Sequence, residues 1–289
     1  MAKLVLMLRI KDGMFFLKDW LERYETLVDE IVALDNGSTD GTLEMLQSHP
    51  KVVEVLQTKG YNEGRDKNML YAHMRIRKPD WCLWLDVDEI FEPDVTREVL
   101  EKMMASNYVD RYAFRRFHFI DRNYFAASWY WLDYSAGHDR IMWREKPTGY
   151  FADLIMDSPN VKGIGGVKAY TNWRIKHLGY INKALVDQKA AVYRTLLAGD
   201  HGQINAMYLQ GERKIKWQDR HHSPKVILLS ALLNVILFKH MVLKAVKLAF
   251  KPVSSFIKKI RIPQATGTEQ SVGVINANIY EQDRKNIQL

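Results

Sequence analysis

Asp86 and Asp88 stand one residue apart just after the apolar run Trp81-Cys82-Leu83-Trp84-Leu85, and Glu89 follows them. On an extended chain, residues two apart point to the same side. Two such hard oxygen donors suit magnesium or manganese, bound through one or two carboxylates together with substrate phosphates. Packing offers no reason for stacked acids at a strand end, because like charges this close repel unless a cation or hydrogen-bond donors compensate. A second polar signature, Asp35-Asn36-Gly37-Ser38-Thr39-Asp40-Gly41-Thr42, follows the short apolar run Glu30–Leu34. Gly37 and Gly41 permit a tight turn, and Ser38, Thr39 and Asp40 can cap the helix after it. An ordinary strand–turn–helix connection uses the same residue types, so this signature gains its meaning from the first.

Both signatures need a scaffold that ends strands beside one another. Over the first hundred residues, strand-like runs at Lys3–Ile10, Glu30–Leu34, Val52–Leu56 and Trp81–Leu85 alternate with helical patterns. Those patterns include Phe16, Leu17, Trp20, Leu21 and Tyr24, then Leu43–Gln47, Arg65–Arg77 and Asp94–Met104. Short apolar strands alternating with helices predict βαβ units and a parallel sheet covered on both faces. In such sheets ligands sit beyond the carboxyl ends of the strands, where both polar signatures fall. Neighbouring positions for their two strands would turn the loops toward one cleft.

From Tyr108 the character changes. Strand-like segments at Arg111–Phe119, Arg140–Trp143 and Lys168–His177 are separated by polar or Gly-rich loops, and a helix is expected over Asn182–Leu197. Aromatic residues crowd between Trp129 and Tyr134; they can stack on a ring-shaped ligand or simply pack a core. The net charge of +8 is unevenly spread, since Arg213–Ile262 holds twelve Lys/Arg against one acid, Asp219, a local charge of +11. Within it, Val226–Phe238 has eleven apolar residues in thirteen, too short a run to span a bilayer. His240, Lys244, Lys247 and Lys251 then fall on one helical face before Pro252. A basic face opposite an apolar one is the pattern of a helix lying in a membrane interface. A nucleic-acid binder is disfavoured, because these basic residues sit on an apolar helix instead of alternating with groove-reading or stacking elements. The single cysteine, Cys82, excludes an internal disulfide and a cysteine-based zinc site, and it makes a reducing compartment the default. Met1–Ile10 is interrupted by Lys3 and Arg9 and reads as a strand, not a leader.

Three motifs in order, Leu34 through Thr42, then Gly64-Arg65-Asp66-Lys67-Asn68, then Trp81 through Glu89, resemble the family 2 glycosyltransferases with a GT-A fold. The opening Leu8-Arg9-Ile10-Lys11-Asp12 and Leu17-x-x-Trp20-Leu21 resemble that family's start, and the resemblance runs over roughly residues 3–200. It implies an α/β, GT-A-type, mostly parallel sheet flanked by helices. Residues 1–212 would form the transferase domain, with a Rossmann-like nucleotide-sugar half at 1–107 and a mixed acceptor half at 108–212. A basic helical appendage at 213–262 and a polar tail at 263–289 follow.

The resemblance also implies roles. Arg9, Asp35, Arg65, Asp66, Asn68 and Asp86 would line the nucleotide-sugar pocket, and Asp88, with Asp86 and His177, would hold a divalent metal, manganese or magnesium. His177 lies in Lys176-His177-Leu178-Gly179-Tyr180, which is similar to a His-x-Gly-Tyr stretch of the family. The family's usual His-Glu pair is absent after Arg140-Ile141-Met142-Trp143-Arg144, so Asp153 and then Asp157 stand as candidates for the base. His138-Asp139 is a further polar pair on the acceptor side, and His221-His222 reads as surface charge. The implied activity is an inverting, metal-assisted transfer from a nucleotide sugar, UDP-linked by preference, to a glycan or lipid-linked acceptor. Such an enzyme would serve cell envelope polysaccharide synthesis at the cytoplasmic face of a membrane, touching it through 224–262. Two other readings share the fold. A sugar nucleotidyltransferase would need a Gly-rich loop after the first strand, where Arg9-Ile10-Lys11-Asp12-Gly13 has one glycine. A non-catalytic glycan-binding or scaffold protein would tolerate loss of Asp86 and Asp88, and both are present.

Overall fold

The computed structural model describes residues 1–127, 140–155, 160–196, 213–218 and 235, all within the compact unit Met1–Val242. The chain begins with β1 (Leu4–Ile10), α1 (Met14–Tyr24), β2 (Glu30–Asp35), α2 (Thr42–Ser48), β3 (Val52–Gln57), α3 (Glu63–Ile76) and β4 (Trp81–Trp84). It continues through β5 (Glu89–Phe91), α4 (Arg97–Met104), β6 (Arg111–His118), β7 (Tyr124–Ala127) and β8 (Arg140–Arg144). The last elements are β9 (Lys168–His177), α5 (Lys183–Leu196) and β10 (Arg213–Lys216). Eight strands form one sheet in the order β3-β2-β1-β4-β8-β6-β9-β5, while β10 pairs with β7. The first four strands run parallel. β8 then enters antiparallel to both β4 and β6, β9 runs parallel to β6, and β5 returns antiparallel to β9. The expected α/β fold, a Rossmann-like half joined to a mixed half, is the fold found.

The apolar runs of the first half have a direct cause. Along β1, Leu4, Leu6, Leu8 and Ile10 enter a core with Leu17, Trp20 and Leu21 of α1, together with Ile31, Ala33 and Leu83. The alternate residues Val5 and Met7 enter the core of the other face, with Val32, Leu34, Cys82 and Trp84 and with Leu70, Tyr71 and Met74 of α3. Both faces of the sheet are dry, so neither set of side chains can be polar. Thr96 and Asn62 set the starts of α4 and α3, their side-chain oxygens accepting from Val99 N at 3.3 Å and Arg65 N at 2.9 Å.

Two expectations change. β2 and β4 are not neighbours, because β1 lies between them. All three are parallel, so their carboxyl ends still share one edge of the sheet. Asp86-Val87-Asp88 is also not a strand end: β4 stops at Trp84, and a turn closed by Glu89 N–H donating to Asp86 O at 3.0 Å reverses the chain into β5. The three- and four-residue strands β5, β7 and β10 had no sequence signal long enough to show a period. Trp129 to Tyr134, His138-Asp139, Asp157, His221-His222 and, apart from residue 235, the basic segment 224–262 lie outside the described residues. Among the described residues no helix is long and apolar enough to cross a membrane.

Candidate active site at the carboxyl edge of the parallel strands

The last residue of β2 is Asp35, fully buried, level with Ile10 at the end of β1. Its carboxylate accepts from Gly37 N at 3.1 Å and Ser38 N at 3.0 Å, which folds the turn back on itself with Gly37 at φ +82°. Ser38, Thr39 and Asp40 then brace the β1–α1 loop. Ser38 Oγ accepts from Asp12 N at 2.8 Å, Thr39 N donates to Asp12 Oδ1 at 2.7 Å, and Asp40 Oδ2 accepts from Met14 N at 3.0 Å. Burial alone would raise the Asp40 carboxyl, but the Thr42 hydroxyl and the Met14 and Thr42 N–H groups hold it below the usual range.

Asp66 organises the wall opposite. Its side chain has no exposure, and it accepts from Arg9 Nε at 2.9 Å, Arg65 Nε at 2.9 Å and Arg65 Nη2 at 2.7 Å. Arg65 also donates to Gly60 O at 3.0 Å, and the Arg9 guanidinium lies 4.4 Å from the Tyr61 ring centre. Asn36, buried beside Asp35, donates to Thr58 Oγ1 at 2.7 Å and Gly60 O at 3.0 Å. Of the expected pocket residues, Arg9, Asp35, Arg65 and Asp66 therefore gather at one edge. Asn68 does not join them: its amide clamps the Phe151 backbone, donating to Phe151 O at 2.9 Å and accepting from Phe151 N at 2.8 Å.

β1 and β4 stay paired as far as Met7 and Trp84; Arg9 continues along β1, while Asp86 lies in the turn beyond β4. The turn after β4 separates its two acids. Asp86 is partly exposed; its carbonyl accepts from Trp20 Nε1 at 3.0 Å, and its N–H donates to Glu89 Oε2 at 3.0 Å. Asp88 is buried, and its carbonyl accepts from Leu178 N at 2.7 Å. β5 pairs Glu89 with His177, so Asp88 Oδ2 comes within 3.6 Å of His177 Nε2. Two donors on one ion with bonds of about 2.1 Å stand at most about 4.2 Å apart, so Asp88 and His177 can share a cation. Gly179 leaves room for it, since a Cβ there would lie 2.5 Å from Asp88 Oδ2 and 3.1 Å from His177 Nε2. Among the described residues no three acidic, imidazole or thiol groups form a cage for a metal, and Asp86 is not gathered with the other two. The donor set fits a divalent ion that takes its remaining ligands from elsewhere.

Asp153 lies exposed on a loop laid across the start of α3, where Glu63 N donates to Ile155 O at 2.9 Å and Gly64 N to Leu154 O at 2.8 Å. Those contacts occupy the first helical N–H groups, so this helix end has none left for a phosphate. Cys82 is buried beside Glu145, and burial pushes its thiol well up, which keeps it from acting as a thiolate. Asn36, Tyr61, Glu89 and His118 carry no site role in the sequence motifs. The first three lie within or beside quoted motifs and could have been found there. His118 had no signal, because its partner is 59 residues away.

Residues 16–158 match the family described as Glycosyl transferase family 2. Uncharacterized proteins of Mycobacterium bovis and Mycobacterium tuberculosis are each 29% identical over 83 residues, 26% of this chain. The matched stretch is 20% of those relatives' own length. Among solved structures, a mannosyltransferase from Pyrobaculum calidifontis in complex with GDP-Man and Mn2+ is 12% identical, with a TM-score of 0.44 over 65% of this chain and 61% of that one. TarS of S. aureus, residues 1–349, is 13% identical, with a TM-score of 0.42 over 65% and 64%. The match over residues 16–158 includes the acidic turn at 35–42, the Arg65–Asn68 segment and the Asp86–Glu89 turn, and over those residues the chain carries a glycosyl transferase family 2 domain.

Proposed function

We propose that this protein transfers a sugar from a nucleoside-diphosphate donor, UDP-linked by preference, to a hydroxyl of a glycan or lipid-linked acceptor, with inversion. The observation that carries the reading is the pairing of buried Asp88 with His177 at 3.6 Å, on the sheet edge that also holds Asp35, Asp66, Arg9 and Arg65. A divalent ion, manganese or magnesium, would be held by Asp88 and His177, with Asp86 toward it through water or the ribose, and would neutralise the charge that grows on the leaving diphosphate. Asp35 would take the base or ribose. Arg9 and Arg65, held in place by Asp66, keep fixed positive charge where the donor's phosphates enter. Asp153 would accept the acceptor's hydroxyl proton as that oxygen bonds to the anomeric carbon and the bond to the diphosphate oxygen breaks; Asp157 is the alternative base. The segment 224–262 would hold the enzyme at the cytoplasmic face of a membrane carrying an envelope glycan or lipid-linked acceptor.

A thermal-shift panel of UDP, GDP and their sugars, each with and without Mn2+, tests this. One diphosphate series should stabilise the chain only with metal, by roughly 5–10 °C at a hundredfold excess over Kd. Asp88→Asn should abolish that metal-dependent shift and leave the ligand-free melting temperature nearly unchanged. No shift with any nucleotide and metal would end the proposal.

A further inference from the structure

Two histidines meet behind the candidate cation position. His118 ends β6 and His177 ends β9, and the parallel pairing of these strands sets them at one register position. Their rings stand edge to face, 4.8 Å between centres and 87° between planes, with the two Nδ1 atoms 2.8 Å apart. Tyr180 packs on both rings, at 5.6 Å from His118 and 5.2 Å from His177. His118 is buried at 3% exposure, so the contact is held in place by packing.

At 2.8 Å the two Nδ1 atoms share one proton, so one ring donates and the other accepts. The other nitrogen of His177, Nε2, faces Asp88. A cation there needs a lone pair on Nε2. A neutral imidazole then carries its proton on Nδ1, and the atom in line to accept it is His118 Nδ1. The opposite arrangement, with His118 donating, leaves the proton on His177 Nε2 and closes that nitrogen to a metal. We infer that His118 is a positioning residue: it accepts from His177 Nδ1–H and holds His177 in the tautomer whose Nε2 can ligate. This inference rests on the metal reading above and adds to it a residue that never touches donor or acceptor.

The test uses the full chain labelled with 15N-histidine and loaded with Mg2+ and UDP, and in parallel with Mg2+ and GDP. Long-range 1H–15N spectra should show His177 protonated at Nδ1 and unprotonated at Nε2. Mn2+ titration followed by electron paramagnetic resonance, with the same nucleotides, then compares wild type, His118→Asn and His118→Phe. Asn carries a carbonyl oxygen at the same bond distance from Cα as Nδ1, so it should bind Mn2+ close to wild type. Phe keeps the ring and lacks the acceptor, so it should bind about 10–100-fold more weakly. A folded His118→Phe with wild-type Mn2+ affinity, or a metal-loaded His177 protonated at Nε2, overturns the inference and leaves the metal reading standing. Wild-type protein that takes no Mn2+ with either nucleotide overturns both. Should His118→Phe fail to fold, the wild-type spectrum decides alone.

Discussion

Asp66 shows what one buried carboxylate does among cations. It has no exposure of its own, and Arg9 and Arg65 reach it from two different elements. Neither arginine is then free to search rotamers, and both guanidinium groups are fixed at the edge where a diphosphate would arrive. Asp66→Asn keeps the shape and removes the charge, leaving the half-buried Arg9 without its counterion. The expected cost is about 3 kcal/mol in urea unfolding, together with weaker nucleotide binding in the thermal-shift assay. An unchanged unfolding midpoint would reduce Asp66 to a spectator. At this scale the sequence marks clusters of polar residues along the chain, at 35–42, 65–68 and 86–89, but not that Asn68 turns away to the Phe151 backbone. His118 was silent, because only the sheet brings it to His177.

Elements decide how close the loops can come. Gly64 sits in the first turn of α3 where a Cβ would press on the Ala152 carbonyl and lie 2.5 Å from Leu154 N. Gly64→Ala should therefore lift the loop carrying Asp153 off the helix, at about 1–3 kcal/mol. Faster proteolytic nicking at 151–155 would report it, and wild-type resistance would contradict it. A second element-scale effect is the joint of β2 with α3. Glu30 accepts from Arg77 Nε at 2.8 Å and Lys3 Nζ at 2.8 Å, and these contacts, Arg77 first, hold its carboxyl below the ordinary value of 4.5. Its contribution to stability is complete above that ordinary value and is lost as pH falls through the lower folded one. Unfolding midpoints measured from pH 6 to pH 3 should fall less steeply for Glu30→Gln than for wild type. Parallel slopes would show that Glu30 does not contribute.

Over the whole molecule, the late chain returns to the early sheet. Arg174 pairs with fully buried Glu92, its Nε donating at 2.7 Å, donates to Gln218 O at 3.0 Å, and lies 4.0 Å from the Trp217 ring centre. Trp217 packs on Phe117 and Phe119, so the segment following β10 is tied beside the strand that carries His118. The basic stretch 224–262 begins six residues beyond that tie. In vesicle co-sedimentation, wild type should pellet with anionic and not with neutral vesicles. A chain truncated after Gln218, checked first for folding by its melting curve, should stay in the supernatant. Pelleting of the folded truncation would remove 224–262 from the membrane role.

Twelve of the strands and helices were legible from the sequence, with ends shifted by a few residues, because their apolar periods are local and long. That alternation sufficed for the α/β class. Long-range pairing settled the rest. The order of strands put β1 between β2 and β4, a turn rather than a strand gave Asp86 and Asp88 unequal burial, and antiparallel β5 delivered Asp88 to His177. A chain's local pattern records which face of an element is dry, but it carries no record of which distant strand lies alongside; that depends on how all the faces are buried at once.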